Sequence, residues 1–228
     1  MAKYKIKHIT HYFYKSPVYE SINQIMLYPI QDLHQTLHFQ SIRITDSPSI
    51  EIFKDHYFNQ LGIFNILKPH SELSIQSNIV VEVVPIEIPN LEISIAQQWE
   101  EIELLKKDFT LKDFLEVEEF KAKEEISNVV QSLIDKEKSV FENAFNVSEF
   151  IFENFTYKQG VTTIESDIDE IWSLKAGVCQ DFAHLLLEML QIAELPSRYV
   201  SGYICPKNHD LRGEGATHAW VEVFLPTY

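Results

Sequence analysis

Apolar and polar residues alternate through much of the first third of the chain. Tyr4-Lys5-Ile6-Lys7-His8-Ile9, Phe39-Gln40-Ser41-Ile42-Arg43-Ile44 and Leu73-Ser74-Ile75-Gln76-Ser77-Asn78-Ile79 all follow it. A period of two is that of a strand with one face buried. Breakers separate the runs at Ser16-Pro17, Ser47-Pro48, 59–62 and Lys68-Pro69. Residues 1–95 are therefore expected to form a small antiparallel β-sandwich or barrel, closed by Pro85 and Pro89. Beyond Pro89, Glu, Lys and Leu dominate. There 115–123 and 124–134 read as charged amphipathic helices, and 96–150 as a helical connector. An apolar helix around Phe150, Ile151, Phe152 and Phe155 follows, running into 156–160.

The last part, 151–228, holds a different pattern. From Cys179 to Leu195 apolar residues cover most of a helix surface, which demands burial. Gln180, His184, Glu188 and Gln191 fall on one narrow polar stripe along it, and Pro196 stops it. Two strands are expected at 198–205 and 217–225, separated by a polar loop through His209, Gly213 and Gly215. The predicted class is α+β, with a buried helix packed on an antiparallel sheet.

Composition narrows the partners. The 228 residues are 45% apolar and 23% charged, which is ordinary for a globular chain. Asp and Glu outnumber Lys and Arg by 34 to 19, and the net charge of -15 disfavours phosphate backbones, so no nucleic-acid partner is expected. The first residues lack the apolar stretch of a signal peptide, and no segment approaches the roughly 18 apolar residues of a membrane span. Two cysteines, Cys179 and Cys205, make no disulfide framework. A soluble, cytoplasmic protein follows as the expectation. Cys179, His184, Cys205 and His209 lack metal-ligand spacing, and no acidic loop resembles a calcium site, so no cofactor is expected.

Two residues carry candidate chemistry. Cys179 stands in the first turn of the buried helix, where unpaired N–H groups and the helix dipole favour a thiolate. Gly177 just ahead suits a tight entry turn. His218 begins a strand in which His218, Trp220, Glu222 and Phe224 share one face, while Ala219, Val221, Val223 and Leu225 share the apolar one. Cysteine before histidine is the order of papain-like thiol enzymes, in which the imidazole takes the thiol proton and returns it to the leaving amine. Each residue also has an ordinary reading, as a small buried cysteine and a packed or surface histidine. His184 lies about 140° around the helix from Cys179 and reads as structural, and Asp181 as favourable first-turn charge. Trp172, Trp220 and Tyr203 are candidates to flank an acyl groove or serve an oxyanion.

The segments Gly177-Val178-Cys179-Gln180-Asp181-Phe182-Ala183-His184-Leu185, Leu195-Pro196-Ser197-Arg198-Tyr199-Val200-Ser201-Gly202-Tyr203 and Thr217-His218-Ala219-Trp220-Val221-Glu222-Val223 together resemble the core of bacterial transglutaminase-like proteins. Ile6-Lys7-His8-Ile9-Thr10, Tyr14, Pro17-Val18 and Asp55-His56-Tyr57-Phe58-Asn59 resemble the N-terminal domain of the same family. The resemblance implies a papain-like core with Cys179 as nucleophile and His218 as general base. It also implies amide chemistry on a protein or peptide substrate such as a glutamine side chain. The family pattern adds an Asp on the strand after the histidine, which orients the imidazole. That Asp is not present in this sequence, so the expectation is a chain recorded short of that strand. Glu222 lies about 13 Å along the strand from His218, too far to replace it. Asp210 and Glu214 lie in the loop. A binding module that keeps the fold without catalysis is the rival expectation.

Overall fold

The computed structural model of the chain describes residues 1–85, 93–163, 165–205 and 217–226. The chain divides into two compact units, Met1–Ile88 and Pro89–Tyr228. In the first, the alternating runs become strands: β1 (Ala2–Val18), β2 (Ser21–Ile25), β3 (Gln35–Ile44), β4 (Glu51–Lys54), β5 (Gln60–Ile66) and β6 (His70–Val83). They form two antiparallel sheets, ordered β1-β6-β3 and β2-β5-β4. Ile44, Leu73 and Ile75 from one sheet meet Ile25, Phe64 and Ile66 from the other in a common core, as a sandwich requires.

Two of the expected breakers act differently. β1 runs through Ser16-Pro17, and its register against β6 shifts between Phe13 and Val18, an irregularity that tolerates a residue without an N–H. Gly62 lies inside β5, where a Cβ would come within 2.8 Å of the Ile50 side chain. The turn comes earlier, where Asp55 accepts the N–H groups of Tyr57 and Asn59.

The second unit begins with α1 (Ile95–Leu105), a 3-10 turn at Phe109–Phe114, α2 (Lys123–Leu133) and α3 (Val140–Asn154). Residues 115–120 are not the helix expected. Leu115, Val117 and Phe120 lack helical spacing, and the backbone N–H of Glu118 bonds Glu188 instead of a preceding carbonyl. α1 and α3 open on reciprocal caps, Ser94 with Gln97 and Ser139 with Glu142, so α3 starts well before the apolar stretch that marks it in the sequence. Next come β7 (Thr156–Tyr157), α4 (Ile168–Leu174), β8 (Ala176–Gly177), α5 (Cys179–Ile192), β9 (Ser197–Tyr203) and β10 (Thr217–Val223).

α5 is the centre of this unit, touched by α2, α3, α4, β8, β9 and β10. Its Leu185, Met189 and Leu190 are closed into one cluster with Ile126 and Val130 of α2, Val140 and Val147 of α3, and Trp99 and Ile102 of α1. The helices within 96–150 thus supply much of the core around α5. The helix ends before Pro196 as Glu194 turns left-handed (φ 61) and the N–H of Leu195 returns to the carbonyl of Leu190.

Candidate active site

Cys179 is the first residue of α5, a free thiol and half-buried. Its neighbour Val178 takes the N-cap position in extended conformation and has no side-chain acceptor to offer. Asp181 supplies one. Its Oδ2 accepts the N–H of Val178 at 2.7 Å and the hydroxyl of Thr162 at 2.6 Å, and the residue is 4% exposed. Asp181 is therefore more than a favourable first-turn charge. The carboxylate leaves no room for a side chain at Gly177, where a Cβ would lie 2.6 Å from Oδ2. The same turn is held from the side by the parallel pair β7 and β8, in which the N–H of Lys158 bonds the carbonyl of Gly177 at 2.8 Å.

β9 and β10 pair antiparallel, with His218 opposite Gly202 and Trp220 opposite Val200. Ala219, Val221 and Val223 point to the helical side, where Ala219 is buried and both valines pack on the core around α5. His218, Trp220 and Glu222 occupy the other face, as the alternation predicts. The His218 and Trp220 rings meet edge to face at 5.0 Å. Trp220, 38% exposed, leans over Gly202, whose missing Cβ would sit 3.0 Å from the indole. Tyr203, opposite Thr217, is half-buried, and burial pushes its phenol above the ordinary value.

Glu222 is engaged by the Arg198 guanidinium at 2.6 and 2.8 Å, which gives it a partner other than the imidazole. Tyr199 faces α5. Its phenol is pushed up first by burial and then by the nearby Cys179 side chain. His184, exposed on α5, stacks on the Tyr199 ring at 4.9 Å.

Trp172 is enclosed against Phe150 and Phe155 with Lys175 over its ring. Its indole N–H has no hydrogen-bond partner among the described residues. Cys205 is exposed and unpaired. His209, Asp210 and Glu214 lie outside the described residues. Among the described residues no hydrogen bond or ion pair joins Cys179 to His218, and no carboxylate bonds the imidazole. The sequence points to Cys179 and His218 but misses the support of Asp181 by Thr162, which comes from 19 positions away. The Asp three residues after Val178 is the signal of a reach-back cap.

A half-exposed thiol opening a central helix, packed on an antiparallel pair that carries an imidazole, defines a thiol-bearing fold of papain-like type. The chain belongs to the transglutaminase-like superfamily, in its bacterial form with a distinct N-terminal region. The transglutaminase-like core matches residues 127–228 and the bacterial transglutaminase-like N-terminal region residues 4–82. An uncharacterised protein of Mycobacterium bovis, Mb2599c, is 32% identical over 98% of this chain and 74% of its own length. One of Mycobacterium leprae is 28% identical over 98% and 80%. Among solved structures, a candidate cysteine protease from Cytophaga hutchinsonii superposes with a TM-score of 0.76 at 20% identity, over 98% of this chain and 73% of that one. That likeness establishes the fold. Among the described residues no helix is long and apolar enough to cross a membrane.

Proposed function

We propose that the protein is a thiol-dependent enzyme acting on amide groups of proteins or peptides, with Cys179 as nucleophile and His218 as general base. The observation that carries this reading is the position of Cys179, accessible at the first residue of a 14-residue helix whose dipole and free N–H groups lie where negative charge develops in acyl transfer. His218 takes the thiol proton, and the thiolate adds to the amide carbonyl. The N–H of Cys179 helps hold the oxyanion, and the imidazolium protonates the departing amine. Water then resolves the thioester in a peptidase or deamidase, and an amine does so in a transglutaminase. Trp220, in edge-to-face contact with the His218 ring, is the aromatic residue beside the proposed base. Catalytic hydrogen bonds commonly tighten only when substrate is bound. Two unpaired thiols suit a reducing compartment such as the cytoplasm.

A second reading, a peptide-binding module that keeps the fold, is favoured by the missing bond between Cys179 and His218 among the described residues. Ammonia release and amine incorporation on a glutamine peptide, followed beside peptide-bond cleavage, separate the two. Turnover abolished by Cys179→Ala and by His218→Ala is the enzyme's result. Turnover indifferent to Cys179→Ala, or none at all with the peptide still bound, belongs to the module.

A further inference from the structure

Asp181 is an expensive way to cap a helix. A buried carboxylate needs full hydrogen bonding to offset desolvation, and a solvent-exposed Asp in the same turn would favour the dipole without that penalty. No cation pairs with it among the described residues. Its two bonds are placed where they affect the thiol. The bond from Val178 fixes the residue that precedes Cys179, and the bond from Thr162 ties in the segment after β7. The first bond within the helix is that from the N–H of Phe182 to the carbonyl of Val178. The N–H groups of Cys179, Gln180 and Asp181 therefore have no acceptor within the helix, and the carboxylate caps the turn without occupying them.

We propose that Asp181, held by Thr162, is a positioning residue for Cys179: it fixes the Gly177–Cys179 turn so that the thiol and the free N–H groups of the first helical turn face the same way. The proposal rests on Cys179 being the reactive thiol. It concerns hydrogen bonding rather than charge, because a bare negative charge two residues away raises a thiol pKa. Asparagine at 181 keeps an acceptor oxygen and removes the charge, whereas alanine removes both.

The test is the rate of iodoacetamide alkylation as a function of pH, on the full chain in a Cys205→Ser background so that only Cys179 reacts, with thermal unfolding recorded for each variant. Thr162→Val and Asp181→Ala are expected to raise the midpoint above the parent's by about one unit. At neutral pH that slows alkylation several-fold, by about tenfold at most. Thr162→Ser and Asp181→Asn are expected to stay close to the parent or below it in midpoint. Parent-like titration of Thr162→Val and Asp181→Ala overturns the proposal, as does an asparagine variant as impaired as the alanine one. If Asp181→Ala does not fold, Thr162→Val decides alone, since it leaves the carboxylate and its Val178 bond in place. Failure of the enzymatic reading shows instead in the turnover of the unaltered chain, which the alkylation series does not use.

Discussion

Glu188 lies on the polar stripe of α5, 5% exposed, with its carboxylate accepting the N–H of Glu118 at 3.3 Å. Burial raises its pKa to about 6, which the Glu118 hydrogen bond and Lys123 oppose and the charge of Glu118 reinforces. Between the unfolded value near 4.5 and about 6 the folded chain binds more protons than the unfolded one, so stability falls as pH rises through that window. The loss is about 2 kcal/mol, complete above the folded value and absent below the unfolded one. Glu188→Gln keeps an acceptor for Glu118 and cannot ionise. In urea unfolding at pH 4.5 and pH 7 it should flatten the dependence and leave the variant the more stable of the two at pH 7. At this scale the sequence is legible where a residue acts through its own neighbours. Cys179 and His218 stand out by position in helix and strand, and so does the polar stripe. It is silent where the partner is distant, as with Thr162 on Asp181 or Glu118 on Glu188.

Helix boundaries follow capping chemistry more closely than apolar content. α3 begins at Val140 because Ser139 and Glu142 exchange hydrogen bonds across its first turn. Ser139→Ala should cost about 1 kcal/mol in chemical unfolding, with little change in alkylation of Cys179. A variant as stable as the parent would show that packing of Val140 and Val147 alone sets the start. The Ser-x-x-Glu and Ser-x-x-Gln signatures are present in the sequence, so α1 and α3 could have been bounded from it. α4 is less legible in the sequence, since its seven residues offer only Ile168, Ile171 and Trp172 as a buried pattern. At 115–120 the acidic residues suggest a solvated helix, whereas the N–H of Glu118 goes to the Glu188 carboxylate of α5 and not to a helical carbonyl.

Each of the two units, Met1–Ile88 and Pro89–Tyr228, encloses a hydrophobic cluster drawn from its own residues. A fragment spanning Pro89–Tyr228 is expected to melt cooperatively by circular dichroism and to keep the parent's alkylation profile. A broad, uncooperative melt would mean that its core needs the first unit. The shift from alternating to helical pattern after Pro89 falls next to the boundary between the units. Less visible is how much the charged helices contribute to the second core. Ile126, Val130, Val140, Val147 and Ile151 are few among many Glu and Lys, yet their spacing of four and seven within helices aligns them on the faces that meet α5.

Cys205, exposed two residues past the end of β9, has a practical consequence. The last residue of that strand pairs with Thr217, the neighbour of His218. In a Cys179→Ser chain, a maleimide dye would attach at this single thiol, beside the strand that bears the imidazole and on neither candidate group. The molecule thus carries a native attachment point for an optical reporter of peptide capture.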